Sequence, residues 1–110
     1  MTEQFVIDVV SDVICPWCFL GKRRLDKALA QLDGVDVLVR WRPFALDPTI
    51  PPEGLDRTDY LTRKFGADRL TTLHDPLIEA GAMDGVPYNF AAVTRTPNTL
   101  DAHRLIRWAH

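Results

Sequence analysis

Two cysteines separated by two residues, Cys15-Pro16-Trp17-Cys18, stand where a β-prone run gives way to an amphipathic one, and this junction limits the folding options of the chain more than any other feature. Upstream, Phe5 to Val10 is a short β-prone run bounded by the polar pair Ser11-Asp12, which predicts a buried strand of about six residues. Downstream, Leu25, Ala28, Leu29 and Leu32 recur at i, i+3, i+4 and i+7, with Lys22, Arg23, Asp26 and Lys27 on the other face. That pattern predicts a helix from Pro16 to Leu32 closed by Gly34, and proline suits its first position because it has no N–H to leave unpaired. Val35 to Phe44, rich in Val and aromatic residues, reads as a second strand ending at Pro43. Strand, helix and strand in such close succession form a βαβ unit, which requires a parallel pair and a right-handed crossover.

The remainder has a different character. Pro48, Pro51 and Pro52 make the segment from Leu46 to Gly54 a stiff connection. Asp59 to Phe65 reads as a short helix stopped by Gly66, and Asp68 to Ala80 as a second with apolar Leu70, Leu73, Leu77 and Ile78 and Gly81 as its cap. Pro76 costs about 3 kcal/mol inside a regular helix, so a kink or break is expected near Asp75. Gly85 to Asn89 is a turn, and Thr96-Pro97-Asn98-Thr99 starts a last helix carrying Ala102, Leu105, Ile106 and Ala109 on one stripe. The expected division is a βαβ part over 1–46 and a helical insertion over 47–110.

With 110 residues there is material for one small core. A net charge of −2 and scattered Lys and Arg exclude the basic field that nucleic acid binding requires. No run approaches the roughly 20 apolar residues of a membrane span. Met1-Thr2-Glu3-Gln4 has neither the basic head nor the apolar middle of a secretory signal, so the default expectation is a cytoplasmic protein. In that compartment two closely spaced cysteines point to redox or metal chemistry rather than a structural staple.

A thiolate is the nucleophile in disulfide exchange, and a free thiol is mostly protonated at neutral pH. If Cys15 caps the helix, unpaired N–H groups and the positive end of the helix dipole stabilise its anion, while Cys18 lies one turn further in. Cys15 is then expected to attack and Cys18 to resolve. One C-x-x-C supplies only two of the four ligands of a structural zinc, and His74, His103 and His110 lack ligand spacing, so no metal site is expected within one chain. Two competing readings remain: cysteines that are merely core, and a non-catalytic fragment or module in which zinc bridges two chains through paired C-x-x-C motifs.

The stretch Asp8-Val9-Val10-Ser11-Asp12-Val13-Ile14-Cys15-Pro16-Trp17-Cys18-Phe19-Leu20-Gly21 resembles the DsbA-like thioredoxin family, in particular its FrnE branch. Arg95-Thr96-Pro97-Asn98-Thr99-Leu100-Asp101-Ala102-His103-Arg104-Leu105 is similar to that branch's helical insertion, and Trp41-Arg42-Pro43-Phe44 matches a strand end between them. The resemblance implies an α/β fold, a thioredoxin-like βαβ unit followed by a helical insertion, incomplete at this length. It also implies oxidation, reduction or isomerisation of disulfides, with protein thiols and disulfides or small disulfides as partners. Cys15 matches the family nucleophile and Cys18 its partner, and Pro16 and Trp17 tune the pair.

Asp8 falls near the buried acid of the wider superfamily, which could pass a proton to Cys18; the competing reading is a solvent-facing strand charge. His103 matches a position that related branches also fill, where it would line the cleft facing the dithiol; the competing reading is a satisfied structural histidine on a helix. Related 2-hydroxychromene-2-carboxylate isomerases and kappa glutathione transferases typically carry serine where Cys15 stands, so redox chemistry is favoured over a glutathione-linked isomerase or transferase, with glutathione as co-substrate in the latter and no cofactor otherwise. Family members run to about twice this length, and their second half supplies further strands and a cis-proline loop. Gly85-Val86-Pro87 resembles that loop only superficially and is not assigned to it. The chain is expected to be the N-terminal half of such a fold, either truncated or completing its core as a homodimer.

Overall fold

In a computed structural model, residues 3–109 are described, and they divide into two compact units. One takes the chain up to Leu46 and again from Thr99 onward; the other is Asp47–Asn98.

In the first unit β1 (Gln4–Ser11) leads through a tight turn into α1 (Pro16–Ala30), which returns to β2 (Asp36–Pro43). The strands pair in parallel, with Gln4 opposite Asp36, Asp8 opposite Arg40 and Ser11 opposite Pro43. Cys15 takes an extended conformation (φ −87°, ψ 111°) at the helix N-cap, and Pro16 occupies the first turn. Leu20 is the anchor of α1, at 1% exposure, while Leu25 and Leu29 are half-buried. The helix stops at Ala30, two residues before the expected Leu32. The Gln31 N–H donates to the Ala28 carbonyl and the Leu32 N–H to that of Leu29, closing the last turn, and Gly34 turns the chain toward β2 at φ 69°, a backbone angle that glycine adopts without strain.

The helix α4 (Leu100–Ala109) also belongs to this unit, packing against β2. The division expected from sequence places this helix in the segment 47–110, because an apolar stripe declares a buried face without declaring its neighbour. Among the described residues the sheet of this unit has two strands, and Phe5, Val10 and Leu38 on them stay exposed.

The second unit is closed by a short antiparallel pair, β3 (Leu55–Asp56) with β4 (Arg95–Thr96). The Pro-rich segment before β3 is held by side chains from the unit's far end: Asn98 Nδ2 donates to the Ile50 carbonyl at 2.7 Å and Arg95 to that of Glu53 at 2.9 Å. Ile50 is thereby 2% exposed. In α2 (Arg57–Phe65) the Asp56 carboxylate caps the first turn, accepting from the Asp59 N–H at 3.0 Å. The run expected from Asp68 to Ala80 is broken where Pro76 demands it. A 3-10 turn over Ala67–Arg69 is followed by α3 (Asp75–Met83), with Pro76 in its first turn.

Gly81, expected as a helix cap, lies inside α3 and is buried. Its use is steric: a Cβ there would meet the Val86 carbonyl oxygen at 2.6 Å and the Tyr88 ring at 2.7 Å. Gly85, at φ 72°, makes the reversal that brings Val86 and Tyr88 back. Tyr88, Phe90 and His74 then stack, with ring centroids 4.9 and 3.9 Å apart. Alanine in a helix interior gains about 1 kcal/mol over glycine, but collision with a backbone carbonyl has no rotamer to relieve it. Gly81→Ala should therefore destabilise the protein by about 1–2 kcal/mol net, measured by urea denaturation. An unchanged or raised midpoint would show that the Val86 turn yields freely.

Candidate active site

The dithiol owes its position to a hydrogen-bonded turn between β1 and α1. The Cys15 N–H donates to the Asp12 carbonyl at 3.1 Å, and the Cys15 carbonyl accepts from Cys18 at 3.1 Å and Phe19 at 3.3 Å. Cys15 is the cap and Cys18 lies on the first helical turn, both thiols free and half-buried. Pro16 fills the first turn beside them, and Trp17 is half exposed, at 51%.

The buried acid next to this turn is Asp12, not Asp8. Asp8 points outward from β1, where Arg40 on β2 grips it through two hydrogen bonds of 2.7 and 3.0 Å and Arg42 stands 3.6 Å away. The Arg40 hydrogen bonds hold its carboxyl below the usual carboxylate range despite some desolvation. Parallel register explains the pairing, because Asp8 and Arg40 are direct cross-strand partners on the solvent side. Asp8 is thus exposed on the strand, as its competing reading expects, and not a buried acid.

Asp12 is 1% exposed. One carboxylate oxygen accepts from the Leu46 N–H at 2.8 Å, and the other lies 3.1 Å from His103 Nε2. The His103 side chain is itself 11% exposed. Asp12 thus joins the end of β1, the exit of β2 and α4. Sequence reading treated Ser11-Asp12 only as a strand boundary; the available signal was an acid three residues before Cys15 in an otherwise apolar loop, followed by Val13 and Ile14.

The two thiols stand close together on this turn, and each acts on the acidity of the other. Burial raises Cys15; backbone hydrogen bonds from Cys18 and Trp17 oppose this, while the Cys18 side chain adds to the rise, leaving Cys15 above its ordinary value. Burial acts on Cys18 in the same sense, but the Asp12 backbone and the Cys15 and Ser11 side chains outweigh it and draw Cys18 below. The expected cap amides do act on Cys15, yet the balance of influences raises Cys15 and lowers Cys18. The reason is that Cys18 collects donors from three residues, a count visible only after folding.

A cavity of about 330 Å3 opens onto the pair. Asp12, Trp41, Pro43, His103 and Ile106 line it, with Lys22, Arg42 and Arg107 supplying cations. His103, matched on sequence to a cleft position, stands in the wall of this cavity; His74 lies in the second unit, stacked on Phe90. Among the described residues no three His, Cys, Asp or Glu side chains are grouped to hold a metal ion, and no helix is long and apolar enough to cross a membrane.

Comparison with known proteins follows the same lines. The sequence pattern of the DSBA-like thioredoxin domain family matches residues 6–110. The uncharacterized protein YwbO of Bacillus subtilis is 36% identical over 93 residues, covering 84% of this chain and 42% of that protein. The crystal structure of a probable DsbA oxidoreductase from Streptomyces coelicolor superimposes with a TM-score of 0.80 at 33% identity, covering 94% of this chain and 46% of that one. The chain therefore spans less than half the length of these relatives.

The opposite directions in which the two thiols are shifted make a specific titration signature. Ultraviolet thiolate absorbance of the reduced protein should rise in two steps, the first below the pH of an ordinary cysteine and the second above it. A single step at the ordinary value would mean that the sulfurs do not interact.

Proposed function

The chain belongs to the DsbA-like thioredoxin family, with its α/β fold and its general kind of chemistry, thiol oxidoreduction, and from that premise we propose that it carries out thiol-disulfide exchange through Cys15 and Cys18. The observation that supports this reading is the pair of free thiols close together at the start of α1, both opening onto one cavity. Disulfide-bonded proteins or small disulfides are the proposed substrates, and no cofactor is required, since both electrons come from the thiols.

The exchange runs in two displacements. The Cys15 sulfur attacks one sulfur of the substrate disulfide while its proton passes to the neighbouring Cys18 thiolate. The substrate's other half leaves as a thiolate, and a mixed disulfide remains on Cys15. Cys18 then gives up its proton and displaces the second half, closing the Cys15–Cys18 disulfide. Substrate gains two electrons and the dithiol loses them; the same steps reversed oxidise a substrate dithiol. Cys15 is assigned the attack because it precedes the helix and faces the amides of Cys18 and Trp17. Cys18 is assigned the resolution because the donors around it favour its anion. Pro16 and Trp17 tune the balance between dithiol and disulfide.

Cys15→Ser should reduce turnover of insulin or a small aromatic disulfide to background. Cys18→Ser should instead accumulate a mixed disulfide at Cys15, identified by mass spectrometry under non-reducing conditions. Full turnover by Cys15→Ser would defeat the proposal. So would conversion of a glutathione adduct, without net redox change, that survives Cys18→Ala; that result would indicate a glutathione-linked isomerase or transferase.

A further inference from the structure

The cavity beside the dithiol carries a charge opposite to that of the chain as a whole. The sequence has a formal net charge of −2. Among the described residues lining the cavity, however, Lys22, Arg42 and Arg107 stand against a single carboxylate, Asp12. That carboxylate is 1% exposed, and both its oxygens are taken, one by the Leu46 N–H at 2.8 Å and the other by His103 at 3.1 Å. Much of the remaining wall is apolar, with Phe19, Trp41 and Ile106 in it.

The three cations are not equally available. Lys22 reaches Asp26 on its own helix at 2.8 Å, and Arg42 stands 3.6 Å from Asp8, which Arg40 also holds. Arg107 on α4 is exposed and makes no ion pair among the described residues. Its charge is therefore the least compensated at the site. Lysine and arginine stay protonated across the neutral range, and a cleft with apolar walls focuses their field on an approaching ligand.

We infer that the cavity selects small disulfides carrying a carboxylate a few bonds from the reacting sulfur, with Arg107 as the main recognition residue for that charge. The inference rests on the dithiol-exchange reading and names a substrate class for it. A volume of about 330 Å3 lies at the small end of ligand pockets, the size of one arm of a small disulfide. The apolar wall takes the methylene groups of that arm, and Arg107 takes its carboxylate. Atoms and electrons balance within the exchange itself. Cys15 bonds to one substrate sulfur, the other half departs as a carboxylate-bearing thiol, and closure of the Cys15–Cys18 disulfide releases the second. Both electrons and both thiol protons come from the dithiol.

The test compares disulfides built on the same ethylene arm: dithiodipropionate with carboxylate ends, bis(hydroxyethyl) disulfide with neutral ends and cystamine with ammonium ends. Each is mixed in excess with the reduced, intact protein and quenched with an alkylating agent, and intact mass gives the fraction that has closed the Cys15–Cys18 disulfide. Dividing each rate by that of mercaptoethanol with the same disulfide removes differences in intrinsic reactivity. Wild type should rank carboxylate above hydroxyl above ammonium, with carboxylate favoured over hydroxyl by about threefold or more. In Arg107→Glu that ratio should fall by about tenfold. In Lys22→Gln it should fall less, because Asp26 already offsets Lys22. About 1 M salt, which shortens the screening length to about 3 Å, should flatten the ranking.

Equal normalised rates in wild type, or a preference for cystamine, would overturn the selectivity while leaving the exchange reading intact. So would an Arg107→Glu protein that slows with every disulfide alike, the pattern of a purely structural role. Salt dependence of wild type decides without any variant, since a ranking that persists unchanged in high salt is not electrostatic and overturns the proposal. A protein that closes no Cys15–Cys18 disulfide with any of these compounds removes the exchange reading, and the selectivity with it.

Discussion

The buried carboxylate of Asp12 is the tie on which the first unit depends. A charge at 1% exposure is costly unless each oxygen finds a partner, and here one takes the Leu46 N–H while the other meets His103. Satisfying it constrains three separate stretches at once: the turn after β1, the chain leaving β2, and α4. No apolar contact has that directionality. Leu20 is as deeply buried, but it would tolerate a shifted neighbour, whereas a carboxylate held by one amide and one imidazole would not.

The same residue shapes the dithiol. Its carbonyl fixes the Cys15 amide and so starts α1 where the first cysteine is the cap. Its backbone favours the Cys18 anion, and its charge resists it. The thiols are consequently governed by opposed influences of similar origin, which is the arrangement expected where acidity is tuned. Surface pairs in this unit work differently. The Asp8–Arg40 pair has better hydrogen-bond geometry than the Asp12–His103 contact, yet it lies in solvent, where screening leaves an ion pair little energetic weight.

Much of the backbone was legible in residue order. The βαβ unit followed from two β-prone runs around an amphipathic stretch, and Pro76 announced a helix start near Asp75 because no interior position accepts its ring. Gly81 was misread as a cap, since a glycine near a helix end has two explanations, and only the close return of Val86 and Tyr88 distinguishes them. The neighbours of α4 were not legible, because periodicity specifies a face and leaves its partner open.

Local order in the chain determined the Cys15-Pro16-Trp17-Cys18 spacing, the helix that begins there and the parallel strands on either side. The helix depends on interactions within a few residues of one another, and the strands on the β-prone runs that the short crossover brings side by side, so both are written in sequence. Tertiary structure alone decided which acid is buried, in which direction each thiol's acidity is moved, and that His103 meets the dithiol's neighbour from a segment 91 residues away. Burial and long-range hydrogen bonds arise only when distant segments close together, and both thiol acidity and carboxylate cost are set by that closure.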